Sequence, residues 1–262
     1  MARPSIQFDD GAAYERMMGT WSQLVGHVFL DWLNPEPGLS WIDVGCGNSA
    51  FTQLLVDRCE PTEVRGVDPA EGQLAFARAR PAAQIAQFHE GDAMALPFPG
   101  HYFDAAVMAL VIFYVPLPAR AVSEMVRVTK PGGRVSTYVW DMLGGGSPTA
   151  PIQAEMRAMD VAPLSLPSLE ASRMEALHAL WSQSGLFEIR TREITVSRDF
   201  ANFDDFWSKA LLQPNIGPPV AAMSGADRQQ LRSRVRQRLG CDGDDKMIYT
   251  ARANAVVGLK PS

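Results

Sequence analysis

The chain has 262 residues, of which 47% are hydrophobic and 20% charged, and this composition excludes collagen-like, mucin-like and wholly disordered proteins. Its 24 Lys and Arg residues against 29 Asp and Glu give a net charge of −5, which argues against nucleic acid as the main partner because phosphate binding needs a basic surface. No apolar run approaches the roughly 18 residues that a membrane-spanning helix requires.

The first 38 residues predict a helical cap. Their apolar side chains, among them Tyr14, Trp21 and Leu24, recur at the spacing of one helix face. The pattern stops in the proline- and glycine-rich stretch 34–38, which breaks a helix. We therefore expect residues 1–38 to form a helical segment that packs on the rest of the domain.

Residues 39–140 alternate short apolar strands with helical patterns. The predicted strands cover 40–44, 63–67, 84–88, 103–109 and 134–140. The fourth is continuously apolar, as strands buried on both faces of a parallel sheet are. Strands that alternate with helices predict βαβ units with right-handed crossovers, and hence an α/β fold.

The rest of the chain predicts the end of the same single domain, interrupted by two insertions. The irregular stretches 141–170 and 198–226 are rich in Pro and Gly, and a last strand follows at 247–258. Apolar side chains are frequent in the two insertions: Met142, Leu143, Met156, Met159, Phe203, Phe206, Trp207, Leu211, Leu212 and Met223. They either line a pocket for a bulky, poorly polar molecule or pack the insertions onto the sheet, and the sequence leaves both possibilities open.

A glycine-rich loop carries the strongest chemical signal. Gly45 and Gly47 follow the first predicted strand, where they allow a positive φ and let a ligand approach the backbone closely. Gly45-x-Gly47-x-x-Ala50 also matches the dinucleotide fingerprint, which is a weak signal on its own. Asp68, at the end of the second strand, suits the ribose hydroxyls of a dinucleotide or of a single nucleoside.

Two further carboxylates favour an amine-bearing nucleoside over a dinucleotide. Asp43 lies two residues before the first glycine of the loop, where it could hold an ammonium group and would repel a pyrophosphate. Asp92 follows the third strand, where a carboxylate suits an exocyclic amine such as that of adenine. The sequence thus places three carboxylates at three strand ends that are expected to adjoin.

With these motifs, the sequence resembles the class I S-adenosylmethionine-dependent methyltransferases, and within them the type 11 group similar to ubiquinone/menaquinone-biosynthesis methyltransferases. Ordered matches carry the resemblance: Trp41–Gly47, Gly66–Pro69, Glu90–Ala93, Leu96–Phe98, Phe103–Ala105 and Glu124–Gly133. It implies a Rossmann-like, doubly wound sheet of seven strands that is mostly parallel, with an antiparallel last strand and helices on both faces.

The resemblance also implies a cofactor and the residues that bind it. S-adenosylmethionine would be the cofactor and S-adenosylhomocysteine its product. Asp43, Gly45 and Gly47 would hold the methionine moiety, Asp68 the ribose, and Asp92 with Ala93 the adenine. The other implied cofactor-binding residues are Cys46, Pro69 and Ala109, together with Tyr14 and Trp21 of the amino-terminal cap.

A catalytic base is not identified by the sequence. Tyr114 and Asp141 follow the fourth and fifth strands, where catalytic groups of such sheets lie, but Tyr114 could be a packed ring and Asp141 a capping residue. Two other functions stay open: a nicotinamide-dependent oxidoreductase, from the glycine fingerprint, and a cofactor-binding scaffold whose catalytic site has decayed.

Cysteine content and charge complete the expectations for location and partners. The 3 cysteines are too few and too widely spaced for a disulfide framework or a metal site. We therefore expect a cytoplasmic protein without a bound metal, acting on a small molecule as a monomer or homodimer, with no membrane span and no nucleic-acid partner.

Overall fold

The structure, a computed structural model, describes residues 18–163, 165–241 and 245–262. Tyr14, a predicted cofactor-binding residue, lies outside the described residues. The described chain forms a sheet of 7 strands. The strands are β1 (Ser40–Val44), β2 (Glu63–Asp68), β3 (Ala86–Glu90), β4 (Phe103–Ala109), β5 (Thr129–Trp140), β6 (Phe187–Phe200) and β7 (Met247–Leu259).

The strand order confirms the predicted fold class. It is β3-β2-β1-β4-β5-β7-β6, in which β1 to β5 are parallel and β7 is antiparallel to both of its neighbours. The order changes direction between β1 and β4, because β2 and β3 lie on one side of β1 while β4 and β5 lie on the other. Ligands of open α/β sheets bind beyond the carboxyl ends of the strands at such a switch point.

Burial explains why β1 and β4 form the centre of the sheet. Every residue of β1 is buried, and Phe103 and residues 105–108 of β4 are buried as well. Asp43 differs from its neighbours because its side chain can ionise. It lies between Gly66 of β2 and Val107 of β4, in the middle of this apolar centre. The fold thus holds a carboxyl group where the surroundings disfavour its charge.

Helices cover both faces of the sheet. They are α1 (Thr20–Leu33), α2 (Ala50–Cys59), α3 (Glu71–Arg78), α4 (Pro118–Val128), α5 (Ala150–Ala158), α6 (Met174–Gln183), α7 (Phe203–Ala210), α8 (Gly217–Ala222) and α9 (Gly225–Arg238). In α4, Pro118 suits the helix start, and Ala121, Met125 and Val128 recur on the buried face. α1 packs against α2 and β6, while α6 packs against α4 and β7. Among the described residues, no helix is long and apolar enough to cross a membrane.

The two predicted insertions contain short helices despite their many prolines. The stretch 141–170 includes α5, and 198–226 includes α7 and α8. α7 begins where the Asn202 side chain accepts a hydrogen bond from the Asp205 N–H, which satisfies a backbone donor at the helix start. Local capping of this kind stabilises a helix that the apolar pattern of the insertion does not indicate.

The first insertion is joined to the arginine-rich helix α9 by a buried carboxylate. Glu155 of α5 accepts hydrogen bonds from Arg234 and Arg238 of α9, each at 2.6 Å. These bonds, with the charges of the two arginines, hold the pKa of Glu155 below its ordinary value although burial raises it. α5 and α9 therefore stay together as a pair beside the sheet.

Candidate active site

The loop after β1 is built around backbone conformations that favour glycine. Gly45, Gly47 and Ser49 have φ values of 76°, 51° and 65°. The amides of Gly45 and Cys46 both donate to the Val67 carbonyl, at 2.7 and 3.1 Å, which ties the loop to β2. A Cβ atom on Gly45 would lie 2.6 Å from both Cγ atoms of Val111. Glycine at position 45 is therefore needed both for the turn and for the close approach of Val111.

Asp43 is a buried carboxyl group with an oxygen that has no partner. Its exposed fraction is 0%. Oδ2 accepts a hydrogen bond from the Thr52 hydroxyl at 2.7 Å, while Oδ1 has no hydrogen-bond partner among the described residues. Burial raises the pKa of Asp43 to about 7, against the Thr52 hydrogen bond that lowers it, and the Asp68 carboxylate raises it further. A cation or an N–H donor beside Oδ1 would relieve this cost.

Asp68 supports the same loop from β2. Its Oδ2 accepts from the Gly47 N–H and its Oδ1 from the Ala70 N–H, both at 2.9 Å. Burial raises the pKa of Asp68 above its ordinary value, and these two backbone hydrogen bonds offset part of that increase. A carboxylate has about four acceptor positions, so Asp68 can hold the loop and still accept bonds from a ligand.

A cleft adjoins the glycine loop. Its walls come from α1, β1, the loop, α2 and the ends of β4 and β5: Ser22, Asp43, Gly45, Cys46, Gly47, Asn48, Ala50, Phe51, Ala109, Leu110, Val111 and Tyr138. The structure thus brings together five of the predicted cofactor-binding residues, namely Asp43, Gly45, Cys46, Gly47 and Ala109. Burial raises the pKa of the Cys46 thiol, so Cys46 is a packing residue and not a nucleophile.

The remaining predicted residues of β2 and β3 lie beside this cleft and are more exposed. Pro69 and Asp92 are exposed, and Ala93 is partly buried. The loop after β3 is tied to β2 by a hydrogen bond from the Gly91 N–H to the Asp68 carbonyl at 3.2 Å. Asp92 Oδ1 accepts from the Met94 N–H at 2.8 Å, which fixes the carboxylate at the strand end.

Trp21 lies away from the glycine loop. It is 3% exposed, and its ring lies 6.1 Å from the Trp140 ring and 6.3 Å from the Tyr249 ring in edge-on contacts. Its neighbour Ser22 is the α1 residue that lines the cleft, because one step along a helix turns the side chain by about 100°. Trp21 lines instead a small cavity, together with Met18, Arg198 and Phe200.

A further cavity lies next to the cleft and is mostly apolar. We call it the acceptor cavity; its walls are Met18, Leu110, Phe113, Tyr114, Trp140, Met142, Ser147, Gln213, Pro214 and Asn215. Tyr114, one of the two predicted bases, belongs to these walls. Met142 also lines the cavity, whereas Met156 and Phe203, equally apolar, are buried in the core. Some apolar residues of the insertions thus line a cavity, and others pack the insertions onto the sheet, so both possibilities left open by the sequence occur.

Leu110 forms the boundary between the cleft and the acceptor cavity, since it lines both. It is 5% exposed and has a φ of 62°, the left-handed conformation that costs a residue with a side chain roughly 1–2 kcal/mol. Its N–H donates to the Tyr138 carbonyl at 2.8 Å, which holds the strained conformation in place. Strained residues of this kind cluster at functional sites.

Asp141, the other predicted base, is an ion-paired structural residue in this fold. Its Oδ2 accepts from Arg252 Nη2 at 2.5 Å, and its Oδ1 accepts from the Gly144 N–H at 2.9 Å. Neither the cleft nor the acceptor cavity has Asp141 among its walls. The carboxylate therefore closes the turn after β5 onto β7.

Comparison with known proteins agrees with this geometry. Residues 42–137 match a family model described as a methyltransferase domain. This part of the chain is similar to the class I S-adenosylmethionine-dependent methyltransferases. The match confirms the resemblance drawn from the sequence, and the matched residues include most of β1, the glycine loop and the carboxyl ends of β2, β3 and β4.

Curated relatives of the methyltransferase domain match over part of their length. The ubiquinone/menaquinone biosynthesis C-methyltransferase UbiE of Cereibacter sphaeroides is 34% identical over 131 residues, which are 48% of this chain and 52% of that protein. The malonyl-acyl-carrier-protein O-methyltransferase of Methylococcus capsulatus is 32% identical over 157 residues, 60% of this chain and 54% of that protein. The chain thus spans about half the length of the curated relatives it matches.

A solved structure extends the similarity of fold to most of the chain. Phosphoethanolamine N-methyltransferase 2 of Haemonchus contortus, in complex with phosphomonomethylethanolamine and S-adenosylhomocysteine, has a TM-score of 0.60 over 95% of this chain and 57% of that one. Its sequence identity is 19%, so the likeness shows the fold alone. The insertions of the methyltransferase domain have to be interpreted from their own residues.

Replacing Asp141 by Ala is expected to lower the free energy of unfolding by about 1–3 kcal/mol, because Arg252 and the Gly144 N–H would lose their shared acceptor. Asp141→Asn keeps an acceptor for the Gly144 N–H and should lose less. Urea unfolding and calorimetric titration with S-adenosylhomocysteine would measure both effects. An unchanged stability together with a large loss of affinity would show instead that Asp141 acts in the binding site.

Proposed function

We propose that the methyltransferase domain transfers a methyl group from S-adenosylmethionine to a small, mostly apolar acceptor molecule. The observation that carries the proposal is the fully buried Oδ1 of Asp43, which has no hydrogen-bond partner among the described residues and lies in a cleft that adjoins an apolar cavity. The names of the relatives support it, since they include methyltransferases for carbon, oxygen and nitrogen acceptors.

The residues of the cleft fit S-adenosylmethionine in chemistry and in space. Asp43 would hold the ammonium group of the methionine moiety, and this would neutralise a carboxylate that the fold otherwise keeps close to protonation. The backbone at Gly45 and Gly47 leaves room where a side chain would intrude. Asp68 would accept from the ribose hydroxyls, and Asp92 with Ala93 would flank the adenine. When bound, the cofactor supplies a methyl group that its sulfonium charge already activates.

The chain's own contribution to the reaction is then to bind, orient and exclude water. Holding a nucleophile in line with the methyl group can lower a barrier by about 7–11 kcal/mol without any covalent step by the protein. Leu110 separates the cleft from the acceptor cavity and would set how closely the two reactants approach. Among the described wall residues of the cavity, Tyr114 is the one whose side chain is of a type that acts as a general acid or base, so it remains the proposed base for acceptors that need one.

Labelled-methyl transfer tests the proposal directly. The chain would be incubated with S-adenosylmethionine carrying a radiolabelled methyl group and with a panel of lipophilic phenols, quinols, amines and carboxylic acids. We expect label in the organic extract with at least one acceptor class. Tight binding of S-adenosylhomocysteine without transfer to any class would favour the cofactor-binding scaffold instead.

Replacing Asp68 by Ala is expected to weaken the binding of S-adenosylhomocysteine by about 1–3 kcal/mol, roughly 5- to 150-fold, because the ribose would lose a charged acceptor and Gly47 its anchor. Isothermal titration calorimetry measures the change. Asp57→Ala, which removes an exposed carboxylate on the neighbouring α2, is the matched control and should leave the affinity unaltered. Equal affinities for all three proteins would remove Asp68 from the site.

The location and assembly of the protein are part of the same proposal. A net charge of −5 and the absence of a membrane-crossing helix among the described residues support a cytoplasmic protein that acts on a small molecule. The expectations of a monomer or homodimer and of no nucleic-acid partner stay predictions from the sequence.

A further inference from the structure

A chain of polar side chains, two of them buried, ends at a partly buried residue in the wall of the acceptor cavity. Gln213 belongs to that wall, and it also lines a smaller cavity next to Trp21 and an open groove outside. Its Oε1 accepts a hydrogen bond from the Thr149 hydroxyl at 3.1 Å. The Thr149 oxygen in turn accepts from Gln153 Nε2, also at 3.1 Å. Gln213 is thus the last member of a network that begins inside the first insertion.

The contact with Met18 sets the orientation of the Gln213 amide. The Thr149 hydroxyl lies 3.1 Å from Gln213 Oε1 and 3.3 Å from the Ser147 oxygen, and its own oxygen accepts from Gln153. Gln213 Nε2 lies 3.4 Å from the sulfur of Met18, a thioether that accepts hydrogen bonds but cannot donate one. The Met18 contact is therefore a hydrogen bond only when the NH2 group points toward Met18, and this leaves the amide oxygen toward Thr149 as an acceptor for its hydroxyl.

The NH2 group of Gln213 is therefore a donor with a weak partner. Among the described residues, its acceptor is the Met18 thioether, and Met18 is itself a wall residue of the acceptor cavity. A hydrogen bond from this N–H to an oxygen would be more favourable than the contact with sulfur, because sulfur is the poorer acceptor. Trp140, also in the wall and 3% exposed, has an Nε1–H without a partner among the described residues.

The rest of the wall is unsuited to a charged ligand. The described wall residues include no Asp, Glu, Lys, Arg or His, and they present the side chains of Leu110, Phe113, Tyr114, Trp140 and Met142. A molecule that fits here is largely apolar, with an oxygen placed to accept a hydrogen bond. A hydroxyl or carbonyl oxygen on an otherwise apolar molecule meets both requirements, whereas an ammonium group would find no carboxylate among the described wall residues.

We propose that Gln213 is a specificity-determining residue that donates a hydrogen bond to a hydroxyl or carbonyl oxygen of the methyl acceptor. The proposal rests on the proposed function, because it takes this cavity to be the site of the acceptor. Thr149 is a positioning residue that holds the Gln213 amide in its donating orientation.

The test compares two ligands that differ in one group, with S-adenosylhomocysteine present at saturation. 2-Naphthol carries a hydroxyl oxygen, and 2-methylnaphthalene has a methyl group in its place. Fluorescence titration gives the dissociation constant of each for the parent protein, Gln213→Leu, Thr149→Val and the control Met142→Leu, which changes the wall without changing a donor. The quantity of interest is the ratio of the two dissociation constants.

We expect Gln213→Leu to reduce the preference for 2-naphthol by about 5- to 10-fold, the range of one hydrogen bond, while 2-methylnaphthalene binds as before. Thr149→Val should reduce the preference in the same direction by a smaller factor, and Met142→Leu should leave it unaltered. In the absorbance of bound naphtholate, Gln213→Leu should also raise the apparent pKa of the ligand, because an oxygen anion loses a donor.

Other outcomes separate this inference from the proposed function. An equal preference in the parent protein and both network variants, with label transfer from S-adenosylmethionine intact, would overturn the role of Gln213 and leave the methyltransferase activity standing. A preference that depends on Gln213 without any label transfer would support the role of Gln213 and contradict the activity. Failure of both ligands to bind would overturn the assignment of the cavity. Should Gln213→Leu not fold, the Thr149→Val ratio decides alone.

Discussion

Replacing Asp43 by Asn is expected to make the protein more stable and its binding of S-adenosylhomocysteine at least tenfold weaker. Asp43 is fully buried, and one of its oxygens has no partner among the described residues. Ionising such a group in the folded state is costly, and the cost is met only when a ligand with an ammonium group binds. The substitution should therefore raise the free energy of unfolding and lower the affinity for S-adenosylhomocysteine.

The stability effect depends on pH in a direction that the raised pKa of Asp43 determines. The pKa is about 7 in the folded protein against 3.8 for an ordinary aspartate, so the folded state holds a proton between these values that the unfolded state has released. The contribution of Asp43 to stability is thus highest below pH ~4, falls as the pH rises toward 7, and is constant above that, for a total of about 4 kcal/mol. Asn does not ionise, so this pH dependence should disappear in the variant.

Urea unfolding of the two proteins at pH 5 and pH 8 measures the difference. Asn leaves an amide N–H without a partner, which offsets part of the gain, so we expect Asp43→Asn to be more stable by about 1–3 kcal/mol at pH 8 and by less at pH 5. Asp104→Asn is the matched control on β4. Partial burial raises the pKa of Asp104, but hydrogen bonds from Lys130 and Ser40 bring it below its ordinary value, so its loss should destabilise the fold.

A result in which Asp43→Asn and Asp104→Asn both lose stability at pH 8 would show that Asp43 has a structural partner in the folded state. Unaltered binding of S-adenosylhomocysteine by Asp43→Asn would show that its free oxygen does not face the ligand. Either finding would remove the observation on which the proposed function rests.

Replacing Gly45 by Ala is expected to lower the free energy of unfolding by about 2–4 kcal/mol and to weaken the binding of S-adenosylhomocysteine more than tenfold. Two costs add here: a positive φ that an L-residue adopts with strain, and a Cβ atom placed 2.6 Å from Val111. Relief of the contact requires the loop to move, and the loop amide of Gly47 is the one that Asp68 holds.

Gly145→Ala separates the two costs of the Gly45 substitution. Gly145 has the same φ of 76°, but a Cβ atom there would meet nothing within 4 Å. It should therefore lose only the conformational part, about 1 kcal/mol, and should bind S-adenosylhomocysteine normally. Unfolding by urea and calorimetric titration check both variants. If Gly45→Ala loses no more than Gly145→Ala in either measurement, the close approach of Val111 is not required.

The grouping of residues at the cleft could be predicted because these residues follow one another closely along the chain. A strand end, a turn with glycines and the start of a helix are local features, and the parallel sheet then brings Asp43 and Asp68 to the same edge. The fold class followed for the same reason, since alternating strands and helices leave few arrangements of a parallel sheet.

The acceptor cavity could not be predicted, because its contacts join segments that are far apart along the chain. From the sequence, Asp141 is a candidate catalytic group. Its ion pair with Arg252 joins distant segments, so no local pattern indicates it. The Thr149 and Gln213 contact joins the two insertions, so the direction of the Gln213 amide is a property of the fold. The left-handed Leu110 was also missed, because leucine gives no sign of a positive φ.

The affinity of the protein for S-adenosylhomocysteine, compared with that for NADH, tests the central claim most directly. Both ligands would be titrated into the full chain in a calorimeter at pH 8, where Asp43 is largely ionised. We predict saturable, one-to-one binding of S-adenosylhomocysteine that Asp43→Asn weakens at least tenfold, and no saturable binding of NADH. Saturable binding of NADH with no response to S-adenosylhomocysteine would contradict the account and favour a nicotinamide-dependent oxidoreductase.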